Sequence, residues 1–118
     1  VSHAPSLRDT LILVTRDGMG HAEPDLAWKV LGKWLELAEA NGTLPGAIAF
    51  YTRGVLATCE GSPVLDRLRA FEAAGVRLIV CKTCVDHLGV TDRVRVGVIG
   101  GMGDILVAQT LAAKVITL

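Results

Sequence analysis

Cys81 and Cys84, separated by Lys82 and Thr83, are the side chains in this sequence best placed to do chemistry. They follow Leu78-Ile79-Val80, an apolar run that reads as a buried strand, so Cys81 falls at the strand end and Cys84 just past it. Thr83 and Asp86 have the spacing of a capping box, and Gly89 supplies a helix stop. A helix capped by Thr83 puts Cys84 in its first turn, where unpaired N–H groups and the helix dipole favour a thiolate. The spacing alone leaves three readings open. The pair can do redox or sulfur-transfer chemistry, supply half of a metal site, or fill space as small buried residues.

A tetrahedral zinc site needs four ligands, and Cys59, His87 or His21 would have to complete it, with no second Cys-x-x-Cys in the chain. A persulfide carrier needs less: one exposed thiol of lowered pKa that attacks a sulfane sulfur and later surrenders it to another thiolate. In that scheme Cys84 is the nucleophile and carrier, and Cys81 the resolving or relay thiol. Amides from Thr83 onward and in the Gly100-Gly101-Met102-Gly103 turn would hold the negative sulfur, with Lys82 adding charge if its side chain turns inward. Cys59 is either an auxiliary thiol at the same mouth or a space-filling residue. His21 and His87 suit proton transfer near neutral pH or an ordinary surface role, and His3 receives no role. No metal and no cofactor is assigned. The glycine-rich turns lack both the dinucleotide fingerprint and the Lys-Ser/Thr of a phosphate loop.

The elements that must position these residues alternate. Leu11 to Thr15 reads as a strand covered on both faces, and a broad apolar stripe from about Asp25 to Ala40 as a helix. Ala47 to Tyr51 is a second strand. Ser62-Pro63 signals the start of a helix with Val64, Leu65, Leu68 and Phe71 on its buried face, stopped by Gly75. The strand from Val76 to Val80 and the short cysteine helix come next. Val94 to Ile99 is a fourth strand, a helix runs from the Gly100–Gly103 turn through Leu111, and Lys114 to Leu118 closes as a fifth strand. Such alternation predicts an α/β fold, a three-layer sandwich on a mainly parallel five-stranded sheet. Sites in such sheets form beyond the carboxyl ends of the strands. Arg16–Glu23, Thr52–Gly61, Cys81–Cys84 and Gly100–Asp104 are the loops that should converge there.

One domain is expected over residues 11–118, after a flexible lead-in at 1–10. Of the 118 residues, 51% are hydrophobic, enough for a core without disulfides, and twelve basic residues balance twelve acidic ones. Zero net charge argues against a nucleic-acid partner, and no apolar run is long enough to suggest a membrane span. A neutral, apolar-rich small domain tends to associate, so a homo-oligomer is expected. Three cysteines and no signal peptide point to a reducing, cytoplasmic setting.

Several segments together resemble the DsrE/DsrF-like proteins of sulfur relay, and especially the C-terminal domain of the YedF-like proteins of selenium metabolism. They are Ile12-Leu13-Val14-Thr15 with the Gly-containing loop after it, Ala49-Phe50-Tyr51-Thr52-Arg53-Gly54-Val55, and Gly61-Ser62-Pro63-Val64-Leu65. Cys81-Lys82-Thr83-Cys84 and Val96-Gly97-Val98-Ile99 complete the set. Lys82 departs from the YedF-like pattern, which often has Gly between the cysteines. The resemblance implies a parallel five-stranded α/β/α sandwich that assembles into oligomers. It also implies a persulfide carried at the position of Cys84, passed between protein thiols, with Cys81 matching the first cysteine of the YedF-like pair. The alternative is a non-catalytic oligomeric binding or assembly domain, with its thiols idle or ligating a metal.

Overall fold

The computed structural model describes residues 7–118. Its five strands are β1 (Thr10–Val14), β2 (Ala47–Phe50), β3 (Arg77–Cys81), β4 (Val98–Gly100) and β5 (Lys114–Thr117). They pair in the order β4-β3-β2-β1-β5, every neighbour parallel. The four α-helices are α1 (Pro24–Ala40), α2 (Leu65–Ala73), α3 (Lys82–Leu88) and α4 (Met102–Leu111), with 3₁₀ segments at Thr52–Thr58 and Thr91–Arg93. The parallel five-stranded α/β architecture expected from the alternation of elements is therefore present.

The central strands are buried because helices cover both faces. From β1 to β4 the chain steps across the sheet in one direction, so right-handed crossovers place α1 and α2 on the same face. There Leu31, Leu35, Leu68 and Phe71 pack in one core with Ile12, Ile48 and Phe50. The return from β4 to β5 runs the other way and puts α4 on the opposite face. Val107 and Ala108 lie there near Leu11 and Ala47. Only Ile105 of α4 is buried, while Leu106, Val107 and Leu111 are exposed together with Val98 and Val115 at the sheet margins.

Several boundaries differ from expectation. β4 is shorter because Gly97 turns into the left-handed region at φ 83°, so an extended run from Val94 is impossible. Val94 instead bridges Cys59 in antiparallel fashion. The hydroxyl of Ser62 accepts the N–H of Val64 at 3.2 Å and shapes a turn, and α2 begins only at Leu65. Much of the expected lead-in, with His3, lies outside the described residues. Within them, the Leu7 carbonyl accepts the N–H groups of Thr10 (2.8 Å) and Gly46 (3.2 Å), which ties residues 7–10 to the sheet.

Candidate functional site

The apolar residues of β3 carry the chain through the core between β2 and β4, and the strand ends at Cys81, in register with Gly100 of β4. The chain passes from strand to helix without a loop. Cys81 is the residue before the first turn of α3, its backbone still extended at φ −67° and ψ 118°. Cys84 is the third residue of that helix, and residues three apart in a helical turn share a face. The two sulfurs consequently meet at 3.1 Å, with the Cys84 thiol donating to Cys81. Gly89 ends α3 in the left-handed conformation at φ 70°, as its sequence position predicts.

A third residue completes the arrangement. The backbone N–H of Thr52 donates to Cys84 Sγ at 3.0 Å. Thr52 holds φ 50°, which a β-branched residue adopts only when its surroundings impose it. Here the single proton of the Thr52 hydroxyl is shared between the carbonyls of Thr15 (2.5 Å) and Tyr51 (2.6 Å), pinning the turn to the end of β1. Gly54 makes this approach possible, since a Cβ there would sit 1.9 Å from the Val14 carbonyl oxygen. Arg53, between them, reaches the Asp17 carboxylate at 3.4 Å. Thr52 carries no chemical functionality that singles it out in sequence. The available signal is a Thr-x-Gly directly after a strand, in one of the strand-end loops.

The acidity of Cys84 runs opposite to the lowered thiol expected from its place at a helix start. Burial raises its pKa above the ordinary thiol value, and the hydrogen bond to Cys81 raises it further, while the Thr52 amide pulls it down. Its place at the helix start does not reverse this balance. Cys84 is half-buried and Cys81 fully buried. The Thr83–Asp86 capping box does not form. Cys81 and not Thr83 precedes the helix, and Asp86 accepts Lys82 Nζ and the Thr91 hydroxyl, each at 2.6 Å. These bonds hold the Asp86 carboxyl below the usual range. They also turn Lys82 outward along α3, where the ammonium serves Asp86.

The remaining sequence candidates disperse. Cys59 is buried, its thiol donates to the Val55 carbonyl at 3.3 Å, and it faces a separate cavity formed with Trp28, Val90 and Arg93. Burial raises its pKa despite the Thr58 hydroxyl and the charges of Arg95 and Arg93. His21 is exposed in the loop after β1, and His87 is exposed in the last turn of α3, where a cation suits the helix terminus. Among the described residues, no three His, Cys, Asp or Glu side chains converge to hold a metal ion. Gly100 lies beside Cys81 through the ladder. The Gly101 N–H is donated to the Asp104 carboxylate at 2.9 Å, which commits it to the start of α4, and Gly103 is exposed.

The pattern of the DsrE/DsrF-like family matches residues 35–118, well over half of the chain. The chain belongs to the DsrE/DsrF-like family. A DsrE/DsrF-like fold also links it to solved structures. The YchN protein from E. coli superposes with a TM-score of 0.66 at 21% identity, covering 92% of this chain and 97% of that one. MTH1491 from Methanobacterium thermoautotrophicum, described as a protein of unknown function, gives 0.67 at 17% identity with the same coverages. At these identities the likeness is one of fold. None of the curated proteins compared with the chain matches it. The DsrE/DsrF-like family as a whole is associated with sulfur relay. Among the described residues no helix is long and apolar enough to cross a membrane.

Proposed function

We propose that this DsrE/DsrF-like domain accepts sulfane sulfur as a persulfide on Cys84 and passes it between protein thiols. The observation that carries the reading is the setting of Cys84, partly buried just beyond the end of β3 with its Sγ fixed by the Thr52 N–H at 3.0 Å. An amide donor aimed at sulfur favours the form that bears negative charge, which is the state required both for attack and for carrying a persulfide anion. The same donor offsets part of the burial that holds the thiol protonated. Attack therefore follows proton loss from a thiol whose pKa burial raises. Protein donors and acceptors fit this setting, because sulfur exchange needs a reachable sulfur and no elaborate substrate pocket. The three free thiols suit a reducing compartment such as the cytoplasm.

The exposed apolar side of α4 favours a second, compatible role in assembly. A helix apolar all round is ordinarily buried, and Leu106, Val107 and Leu111 are covered if copies of this chain meet through that face. No nucleic acid, membrane, metal or cofactor enters the proposed scheme.

Intact-mass measurement tests the carrier. The reduced protein is treated with a sulfane-sulfur donor, the excess is removed, and each chain is weighed over time. A gain of one sulfur atom that a thiol reductant reverses and that Cys84→Ser abolishes is the expected result. A gain that survives Cys84→Ser would move the activity elsewhere.

A further inference from the structure

We infer that Cys81 attacks the persulfide on Cys84, so that the pair reduces sulfane sulfur and releases it as hydrosulfide. The inference rests on Cys84 as the loaded thiol and concerns what happens to the sulfur next. Cys81 is 0% exposed, and its sulfur lies 3.1 Å from Cys84 Sγ. That separation falls within the range of about 3–3.5 Å at which reacting atoms are already in near-attack position.

When Cys84 carries an extra sulfur, two sides of its Sγ are already occupied, one by Cys81 and one by the Thr52 N–H. The outer sulfur, about 2 Å further out along a new S–S bond, takes a direction other than those two, and Cys84 is only partly buried. Cys81 is left in contact with the inner sulfur, the atom a thiolate must attack for the outer one to leave as sulfide. Attack on the outer sulfur would need Cys81 to reach past Cys84. A persulfide on Cys81 would also be sealed away from any acceptor protein. Of the two roles open to Cys81, resolving thiol and relay thiol, the geometry supports the first.

The steps balance. The Cys84 thiolate attacks the outer sulfur of a donor persulfide, forming Cys84–S–SH and releasing the donor thiolate, which takes up the proton Cys84 gave up. The Cys81 thiol then gives up its proton to the buffer, and its sulfur bonds to Cys84 Sγ. The persulfide S–S bond breaks and its electron pair leaves with the outer sulfur as HS⁻. The sulfane sulfur gains two electrons, and the two cysteines lose two in forming the Cys81–Cys84 disulfide. An external dithiol returns the pair to the reduced state and is itself oxidised to a disulfide. Transfer to an acceptor thiol competes with this discharge, so the domain hands sulfur on when an acceptor is docked and releases sulfide when none is.

The test uses the reduced chain and glutathione persulfide, given as one pulse with excess donor and free thiol removed. Intact mass and released sulfide are followed together. For the unsubstituted chain, the single-sulfur adduct should be transient. It should end two hydrogens lighter than the reduced chain, with one sulfide released per chain and a disulfide mapped by peptide analysis to Cys81 and Cys84. In Cys81→Ala the adduct should last at least about tenfold longer, with no sulfide above the protein-free control. Cys81→Ser serves if the alanine variant folds poorly, and disulfide mapping in the unsubstituted chain needs no variant. An adduct equally long-lived with and without Cys81, or a disulfide that maps to Cys59, overturns the inference while the carrier reading stands. Failure of Cys81→Ala and Cys81→Ser, both folded, to acquire any adduct overturns the carrier reading and this inference with it.

Discussion

Each end of the 3₁₀ segment Thr52–Thr58 meets a cysteine, Cys84 of α3 at its start and Cys59 just past its end, and the two have different fates. At its start the Thr52 N–H points at Cys84 Sγ, and just past its end Cys59 gives its own proton to the Val55 carbonyl. Burial raises both thiols above the ordinary range, so acidity does not separate them. What separates them is the sign of the backbone partner and access to solvent. An N–H donor favours sulfur that carries charge, and a carbonyl acceptor favours sulfur that keeps its hydrogen. Cys84 is also half-exposed where Cys59 is sealed.

The contrast breaks most visibly under alkylation. Iodoacetamide applied to the native protein should label Cys84 and spare Cys59, and Cys84→Ser should remove nearly all native labelling, read by peptide mass. Comparable labelling of Cys59 would erase the difference. Gly54→Ala attacks the segment that contacts both thiols. With the Val14 carbonyl in the way of a Cβ, it should cost about 2–4 kcal/mol in urea unfolding and blur the labelling preference. Thr52→Val sharpens the comparison, because it removes the hydroxyl bonds to Thr15 and Tyr51 while keeping the side-chain shape. A loss of about 1–2 kcal/mol is expected, with a higher labelling pKa for Cys84 alone.

Cys81→Ala should move the pH profile of Cys84 labelling the other way, towards a lower midpoint, because both the hydrogen bond and the proximity of Cys81 raise it. The linkage to stability has a definite sign. A thiol whose folded pKa is raised binds its proton more tightly than the unfolded chain does. That contribution is present below the ordinary thiol pKa and is lost as pH rises through the raised one. Urea midpoints followed upward from neutral pH should fall less steeply in Cys81→Ala than in the unsubstituted chain. Asp17→Asn has the smallest effect, within about 0.5 kcal/mol, since the pair with Arg53 is solvent-exposed.

Strand-end placement of Cys81, the helix opening beside it and the stop at Gly89 were legible in sequence, because each follows from local periodicity or a turn residue. The direction of the Cys84 pKa was not, since it depends on burial by distant elements and on how closely Cys81 approaches. Thr83 and Asp86 have the right spacing for a cap. The chain nevertheless enters the helix straight from β3, and Lys82 and Thr91 take the carboxylate. The part Thr52 plays at Cys84 is illegible in sequence for a related reason. Its contribution is a main-chain N–H, which every residue except proline possesses, and only the fold shows where that group points.

Sheet order has a consequence for biosynthesis. Leu13 pairs with Thr117 across the β1–β5 ladder, so β1 waits for a neighbour made roughly 100 residues later, about 5–20 s at ordinary translation speeds. Through that interval a nascent chain presents an apolar strand margin with unfilled main-chain groups, open to pairing with another polypeptide. Ribosome-associated chaperones that shield this margin should matter more for the yield of the protein than for its final stability.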